Sequence, residues 1–312
     1  MKKVGLIFLL CISLCFSGCT KATIEEQTNI IEANPNKGFN FDYLLYLPAN
    51  FTGDTIVVSA LSGTGNELDG DFLQDKGIEE LEDMKDYAKL LNMAIMIVLI
   101  PRLEEVYLQA LDASSLAETD DIYSEIDEQV LKMISNARLK LKQLGIKSDK
   151  KVVFLGFSSA GQFAHRFAVL HPEAVKAVAA GGLGSQITVP LENFNGCILK
   201  YPIGIADLDT YGIRFDLNDY NKVPQFIFQG ALDTNNAVFS FDGYTGDDIG
   251  AYYNLFSGQG LSFSDPVNTW SPMVQLIESM DNSIEFKLYD GVGHTVTPEI
   301  KVEIVSFLQN IS

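Results

Sequence analysis

From Phe39 onward, short runs that are apolar at every position alternate with longer stretches in which apolar residues recur at every third or fourth place. Ile56-Val57-Val58, Ala94 to Ile100 and Val152 to Leu155 are runs of the first kind. A strand with one wet face alternates apolar and polar residues, so runs apolar on both faces predict a parallel sheet covered by helices on both sides. The stripe Ile126, Val130, Met133, Ile134, Ala137, Leu141 and Leu144 predicts a helix, with Ser124 as its N-cap and Gly145 as its stop. Further strands are expected at Val175 to Ala180, Gln225 to Gln229 and Ile284 to Tyr289, and a last helix at about Glu299 to Leu308. There is no internal repeat or low-complexity tract. Alternation of this kind predicts an α/β fold, a doubly wound, mostly parallel sheet with helices on both faces.

The first residues break the pattern. Lys2 and Lys3 precede an apolar run from Val4 to Phe16, then Ser17, Gly18 and Cys19. This order reads as a signal peptide over residues 1–18, and the run is short for a membrane span of about 20 residues. Phe16-Ser17-Gly18-Cys19 resembles the lipobox of bacterial lipoproteins, departing from it at Phe16, where that family usually has an aliphatic residue. The resemblance implies that Cys19 carries lipid and anchors the chain on the extracytoplasmic side, two acyl chains being what stable anchoring needs. An ordinary secretory signal with an incidental cysteine is the alternative. Residues 19–37 are polar and lack a strand pattern, so they are expected to form a tether, with a short helix from Ile24 to Ile31 as the alternative. The domain is then placed at 38–312, and contact with a membrane is expected through the N-terminal lipid only.

Charge and cysteine content narrow the picture. The net charge is −19, and losing Lys2 and Lys3 makes it −21. That excludes a basic footprint for nucleic acid and disfavours anionic substrates. Of four cysteines, Cys11 and Cys15 leave with the signal and Cys19 takes the lipid. Cys197 alone makes no intramolecular disulfide, so about 290 residues must be held by a core.

The candidate chemistry lies at strand ends. The strand Lys151 to Leu155 runs into Gly156-Phe157-Ser158-Ser159-Ala160-Gly161 and then a helix-compatible stretch. A nucleophile elbow needs this setting: a tight turn lifts a serine hydroxyl above the sheet edge, and small flanking residues let strand and helix approach. Ser158 satisfies the spacing as Gly-x-Ser-x-Ala. Taking Ser159 instead would put Phe157 where a small residue is required. The acid candidate is Asp233, just past the strand-Gly unit Gln225 to Gly230, where ligand sites of open sheets form. Asp207, Asp209 and Asp290 lack that setting. Of three histidines, His165 lies inside the helix after the elbow, and His171 ends it, where it can satisfy free carbonyls. His294, in Gly291-Val292-Gly293-His294, is left as the base.

With these motifs the chain resembles the α/β-hydrolase superfamily from about Tyr43 to its end, particularly bacterial secreted esterases related to polyhydroxyalkanoate depolymerases and feruloyl or acetyl esterases. The order serine, acid, histidine is that superfamily's order. The resemblance implies that Ser158 attacks an acyl carbonyl, His294 takes its proton and Asp233 orients the imidazole. It also implies an oxyanion hole of backbone amides, one from Ser159 and one from Ser62-Gly63-Thr64-Gly65-Asn66, with Gly63 and Thr64 the candidates. Lipase-like relatives commonly carry His-Gly there, and this chain does not; an ordinary glycine turn is the alternative. The aromatic and acidic stretch 237–270 is expected as a cap-like insertion, or as rings that fill a small core of their own. Asp242, Asp247 and Asp248 lack calcium-loop spacing, and no nucleotide motif follows an early strand, so neither metal nor cofactor is expected. The leading expectation is a serine hydrolase acting on a small-molecule or polymer-borne ester. A peptidase of the same fold, and a non-catalytic binding lipoprotein with a vestigial triad, stay open.

Overall fold

Eight strands share one sheet in the computed structural model, which describes residues 24–104, 106–184, 186–235, 250, 255, 266–280 and 282–311. In chain order they are β1 (Gln27–Ile31), β2 (Tyr43–Leu47), β3 (Ile56–Ala60), β4 (Ala94–Val98), β5 (Val152–Phe157), β6 (Val175–Gly181), β9 (Gln225–Gly230) and β10 (Ile284–Tyr289). A separate two-stranded hairpin, β7 (Asn193–Phe194) and β8 (Cys197–Ile198), lies between β6 and β9 in the chain. The spatial order is β1-β2-β4-β3-β5-β6-β9-β10. β1 with β2 and β2 with β4 pair antiparallel, and every pair from β4 to β10 is parallel.

The helices are α1 (Gly70–Leu91), α2 (Ala113–Ala117), α3 (Ile126–Gln143), α4 (Ser159–Leu170), α5 (Leu217–Tyr220), α6 (Pro266–Glu278) and α7 (Pro298–Gln309). The period of two along each strand divides them between the faces. Val152 and Phe154 of β5 pack with Val130 of α3, Phe163 of α4 and Met273 of α6. Val153 and Leu155 turn the other way, toward Met84 of α1 and Ile304 of α7. The all-apolar runs are therefore the central strands of a sheet covered on both faces.

Three expectations are corrected. Residues 19–37 are not all tether: β1 pairs with β2 in register from Gln27 opposite Leu47 to Ile31 opposite Tyr43, so the folded body includes this segment, and the helix alternative fails. β1 is an edge strand whose residues are all exposed or half-buried, held by its backbone ladder, so no apolar alternation marks it. Ser124 is not the N-cap of α3. Its N–H still donates to the Asp120 carbonyl in a preceding turn, and Glu125, with a φ of 50°, takes the cap position. The stop at Gly145 is as expected: at a φ of 78° its N–H reaches Lys142 O, and the Ile146 N–H reaches Leu141 O, a Schellman closure. Finally, Trp270 at the end of the expected cap belongs to α6, buried edge-on against Phe286 of β10 with ring centroids 6.0 Å apart. The rest of that stretch, 237–265, lies outside the described residues save positions 250 and 255.

Candidate active site

Ser158 sits between β5 and α4 with φ 59° and ψ −128°, a conformation that L-residues rarely adopt. Its N–H donates to Gly181 O at 2.8 Å and its carbonyl accepts the first helical bond, from Gln162 N–H. The neighbouring glycines are required by space. A Cβ on Gly156 would lie 2.1 Å from Ala160 O, and one on Gly161 would lie 2.6 Å from Gly181 O. The half-exposed Ser158 side chain thus stands at the sheet's C-terminal edge, whereas Ser159 is fully buried and its Oγ donates to Ser62 Oγ at 3.2 Å. Of the two serines, only Ser158 has a hydroxyl open to a ligand.

Asp233 and His294 meet directly. His294 Nδ1–H donates to Asp233 Oδ2 at 2.8 Å, and Asp233, 1% exposed, also accepts from the Asn235 N–H at 3.0 Å through Oδ1. With its proton on Nδ1, the imidazole keeps the Nε2 lone pair for an incoming proton. The loops that carry the two residues are laced together: Ala231 N–H donates to Tyr289 O and Leu232 N–H to Val292 O. Gly230 permits this, since a Cβ there would lie 2.4 Å from Val292 O. On the other side, the His294 ring packs on Phe157, centroids 4.7 Å apart, and Phe157 stacks on Phe228. Phe157 directly precedes Ser158, so the His294 ring lies against the residue that leads into the elbow.

The loop after β3 also adjoins the elbow, through Ser62. Gly63 and Gly65 have φ of 66° and 61°, and the space at their Cβ positions is open, so conformation and not crowding calls for glycine. Thr64 between them is buried and bonded to Gln109. Beside these loops a cavity of about 410 Å³ runs from His294 and Ser62 between α1 and α7, where Glu80, Asp83 and Tyr87 line it. Burial, with Asp83 adding to it, pushes the Glu80 carboxyl up to about 7.

The other two histidines have structural partners. His165, fully buried, donates from Nδ1 to Gln225 Oε1 and accepts at Nε2 from the Thr188 N–H, and burial pushes it down to about 4. His171 does not serve the free carbonyls of α4. α3 instead brings Asp127 against it, with Nε2 to Oδ2 at 2.8 Å. Burial alone would lower its pKa, but Asp127 and Glu173 outweigh that and raise it to about 9. Cys19 lies outside the described residues. Among the described residues no group of His, Cys, Asp or Glu side chains is arranged to hold a metal ion.

Searches against protein-family profiles and against curated proteins find no match for the sequence. Solved structures do match. Poly(aspartic acid) hydrolase-1 from Sphingomonas sp. KT-1 aligns over 91% of this chain and 98% of its own, with a TM-score of 0.59 and 14% identity. The fold is that of an α/β-hydrolase. LpqC, the poly(3-hydroxybutyrate) depolymerase from Bordetella parapertussis, covers 86% of this chain and 84% of its own at TM-score 0.55 and 14% identity. An S-formylglutathione hydrolase from Agrobacterium tumefaciens covers 93% and 99% at TM-score 0.52 and 15% identity. In such a sheet the Ser158 elbow and the Asp233 and His294 loops all lie at the carboxyl ends of parallel strands, the edge where open α/β sheets place ligands.

Proposed function

We propose that this α/β-hydrolase fold is a serine hydrolase that cleaves a carboxylic ester through an acyl-enzyme on Ser158. The observation that carries the reading is the bond from His294 to a buried, doubly bonded Asp233, set beside a half-exposed serine in a sharp strand-to-helix turn. In this reading His294 Nε2 takes the Ser158 proton as Oγ attacks the acyl carbonyl. Asp233 fixes the Nδ1–H tautomer and stabilises the imidazolium that forms. As the first residue of α4, Ser159 has no carbonyl one helical turn back for its N–H, which supplies one oxyanion donor. Gly63 or Thr64 supplies the other. His294 then returns the proton to the leaving alcohol, and water, activated by the same base, releases the acid.

Two of the similar structures are named for polymers, and a polymer-borne or small ester is the proposed substrate class. The net charge of −19 favours a neutral ester over a polyanion. We place the protein on the outer side of a bacterial membrane through lipid on Cys19. Because the described fold starts at Ile24, the chain from Cys19 to that point spans at most about 18 Å, which keeps the domain close to the bilayer. Labelled palmitate should enter the wild-type protein and not Cys19→Ala.

The deciding experiment is labelling of the mature protein with a fluorophosphonate probe. Wild type and Ser159→Ala are expected to label, and Ser158→Ala and His294→Ala to lose it. Failure of the folded wild type to label would refute the mechanism.

A further inference from the structure

The hydrolytic reading requires one amide of the Ser62–Asn66 loop to point steadily at the developing oxyanion, yet two of this loop's five residues are glycines. Gly63 and Gly65 both take positive φ with open space around them, and nothing in those two residues holds the conformation. Two side-chain ties do. One is Ser62 Oγ, which accepts from Ser159 Oγ at 3.2 Å. The other is Thr64, whose Oγ1 accepts from Gln109 Nε2 at 2.9 Å. Thr64 Oγ1 has two acceptors for its own proton, Gln109 Oε1 and Gly65 O, each at 3.2 Å.

Gln109 is fixed in its turn. It is fully buried in the 3-10 turn Leu108–Ala110, and its Nε2 also donates to Ile100 O at 2.8 Å, just beyond β4. The next carbonyl, Ala110 O, accepts from Arg166 Nη1 at 2.9 Å, and Leu111 O accepts from the Tyr201 hydroxyl. Arg166 belongs to α4, the helix whose first turn carries Ser159. Gln109 therefore connects the loop to the same rigid body that holds the nucleophile. A carboxamide suits the place because it donates to two oxygens while accepting from a hydroxyl. A carboxylate would set negative charge against Ile100 O.

We propose that Gln109 is a positioning residue that, through Thr64, aims the second oxyanion amide of the Ser62–Asn66 loop. The proposal rests on the serine-hydrolase reading. It concerns no group that touches substrate, so its signature is a loss in transition-state binding without a comparable loss in substrate binding.

The test uses the full mature protein with Gln109→Met, Thr64→Val and the double variant, and a short-chain p-nitrophenyl ester as substrate. Each single change is expected to lower kcat by about 10–100-fold, part of what losing a whole oxyanion donor costs, with KM within about threefold. Inhibition by an alkyl boronic acid, whose tetrahedral adduct occupies the oxyanion hole, should weaken in parallel with kcat/KM. The double variant should be no worse than the poorer single one, because both cut the same tie. Thr64→Ser, which restores a hydroxyl, should recover at least about tenfold of what Thr64→Val loses. A folded Gln109→Met or Thr64→Val protein with kcat within twofold of wild type overturns the proposal, as does a loss confined to thermal stability. Should Gln109→Met fail to fold, Thr64→Val and its rescue decide. A wild type inert to both ester and fluorophosphonate would instead refute the hydrolytic reading.

Discussion

The conformation of Ser158 has an energetic signature that can be measured without turnover. At φ 59° and ψ −128° its backbone lies in a region that residues other than glycine occupy at a cost of about 1–3 kcal/mol. Ser158→Ala and Ser158→Gly both remove the hydroxyl, but only glycine releases the strain. Glycine also has a freer unfolded chain, which costs about 0.5–1 kcal/mol. The Ser158 side chain is half-exposed, so a lost methyl contributes little packing. The difference leaves Ser158→Gly more stable than Ser158→Ala by about 1 kcal/mol at mid-range and by about 2.5 kcal/mol at most. For a domain of this size, that is a melting temperature higher by roughly 1–6 °C. Thermal and urea unfolding of the two variants measures it directly. If the glycine variant is no more stable than the alanine one, the elbow is not strained and the turn needs another account.

The remaining predictions concern pH. His171 is raised from 6.5 to about 9 in the fold, so its ion pair with Asp127 stabilises fully below about pH 6.5 and is lost as pH rises through 9. His171→Gln should flatten the dependence of the urea midpoint on pH in that window, removing about 2–3 kcal/mol; an unchanged profile would refute the pairing. Glu80 works in the opposite sense. Its pKa rises from 4.5 to about 7 on folding, so its ionisation between those values favours the unfolded chain. Glu80→Gln should match wild type near pH 4.5 and exceed it by about 1–2 kcal/mol at pH 8, the figure being reduced for partial exposure; equal stability at pH 8 would count against the buried carboxylate.

The sheet and the elbow were legible in the sequence because each is specified locally. A run such as Val152 to Leu155 is apolar at consecutive positions only if both faces are covered, and Gly156 and Gly161 are small because backbone, of the helix start at Ala160 and of the β6 end at Gly181, fills the space a side chain would take. Asp233 and His294 followed from the same grammar of strand, glycine and loop. What escaped depends on partners distant in the chain. β1 contributes a backbone ladder to β2 and little apolar surface, so its side chains carry no pattern. Gln109 reads as one more polar residue until the fold places it on Thr64, 45 positions earlier. His171 has the position of a helix cap, and only the packing of α3 on α4 turns it into an ion pair. Ser124 shows the opposite failure, a good capping residue left one position short because Glu125, at a φ of 50°, takes the N-cap.

The arrangement of these parts also explains why β6 ends in Gly181-Gly182. Asp233 and His294 are tied to each other directly and through loops laced by backbone hydrogen bonds, and they extend from β9 and β10. Ser158 extends from β5. β6 lies between, so the His294 ring must cross the end of that strand to meet the Phe157–Ser158 turn, a span of about 10 Å at ordinary strand spacing. A Cβ on Gly182 would lie 2.8 Å from the Phe157 ring and 3.1 Å from His294 Cε1, directly in that crossing. A Cβ on Gly181 would lie 2.0 Å from Phe228, the ring on which Phe157 stacks. The two glycines thus lower the end of β6 beneath a shelf formed by Phe228 and Phe157, and the imidazole lies on that shelf. Asp233 fixes the edge of the ring and Phe157 fixes its face. The Asp233 bond and the Phe157 contact together hold the imidazole at the end of β6.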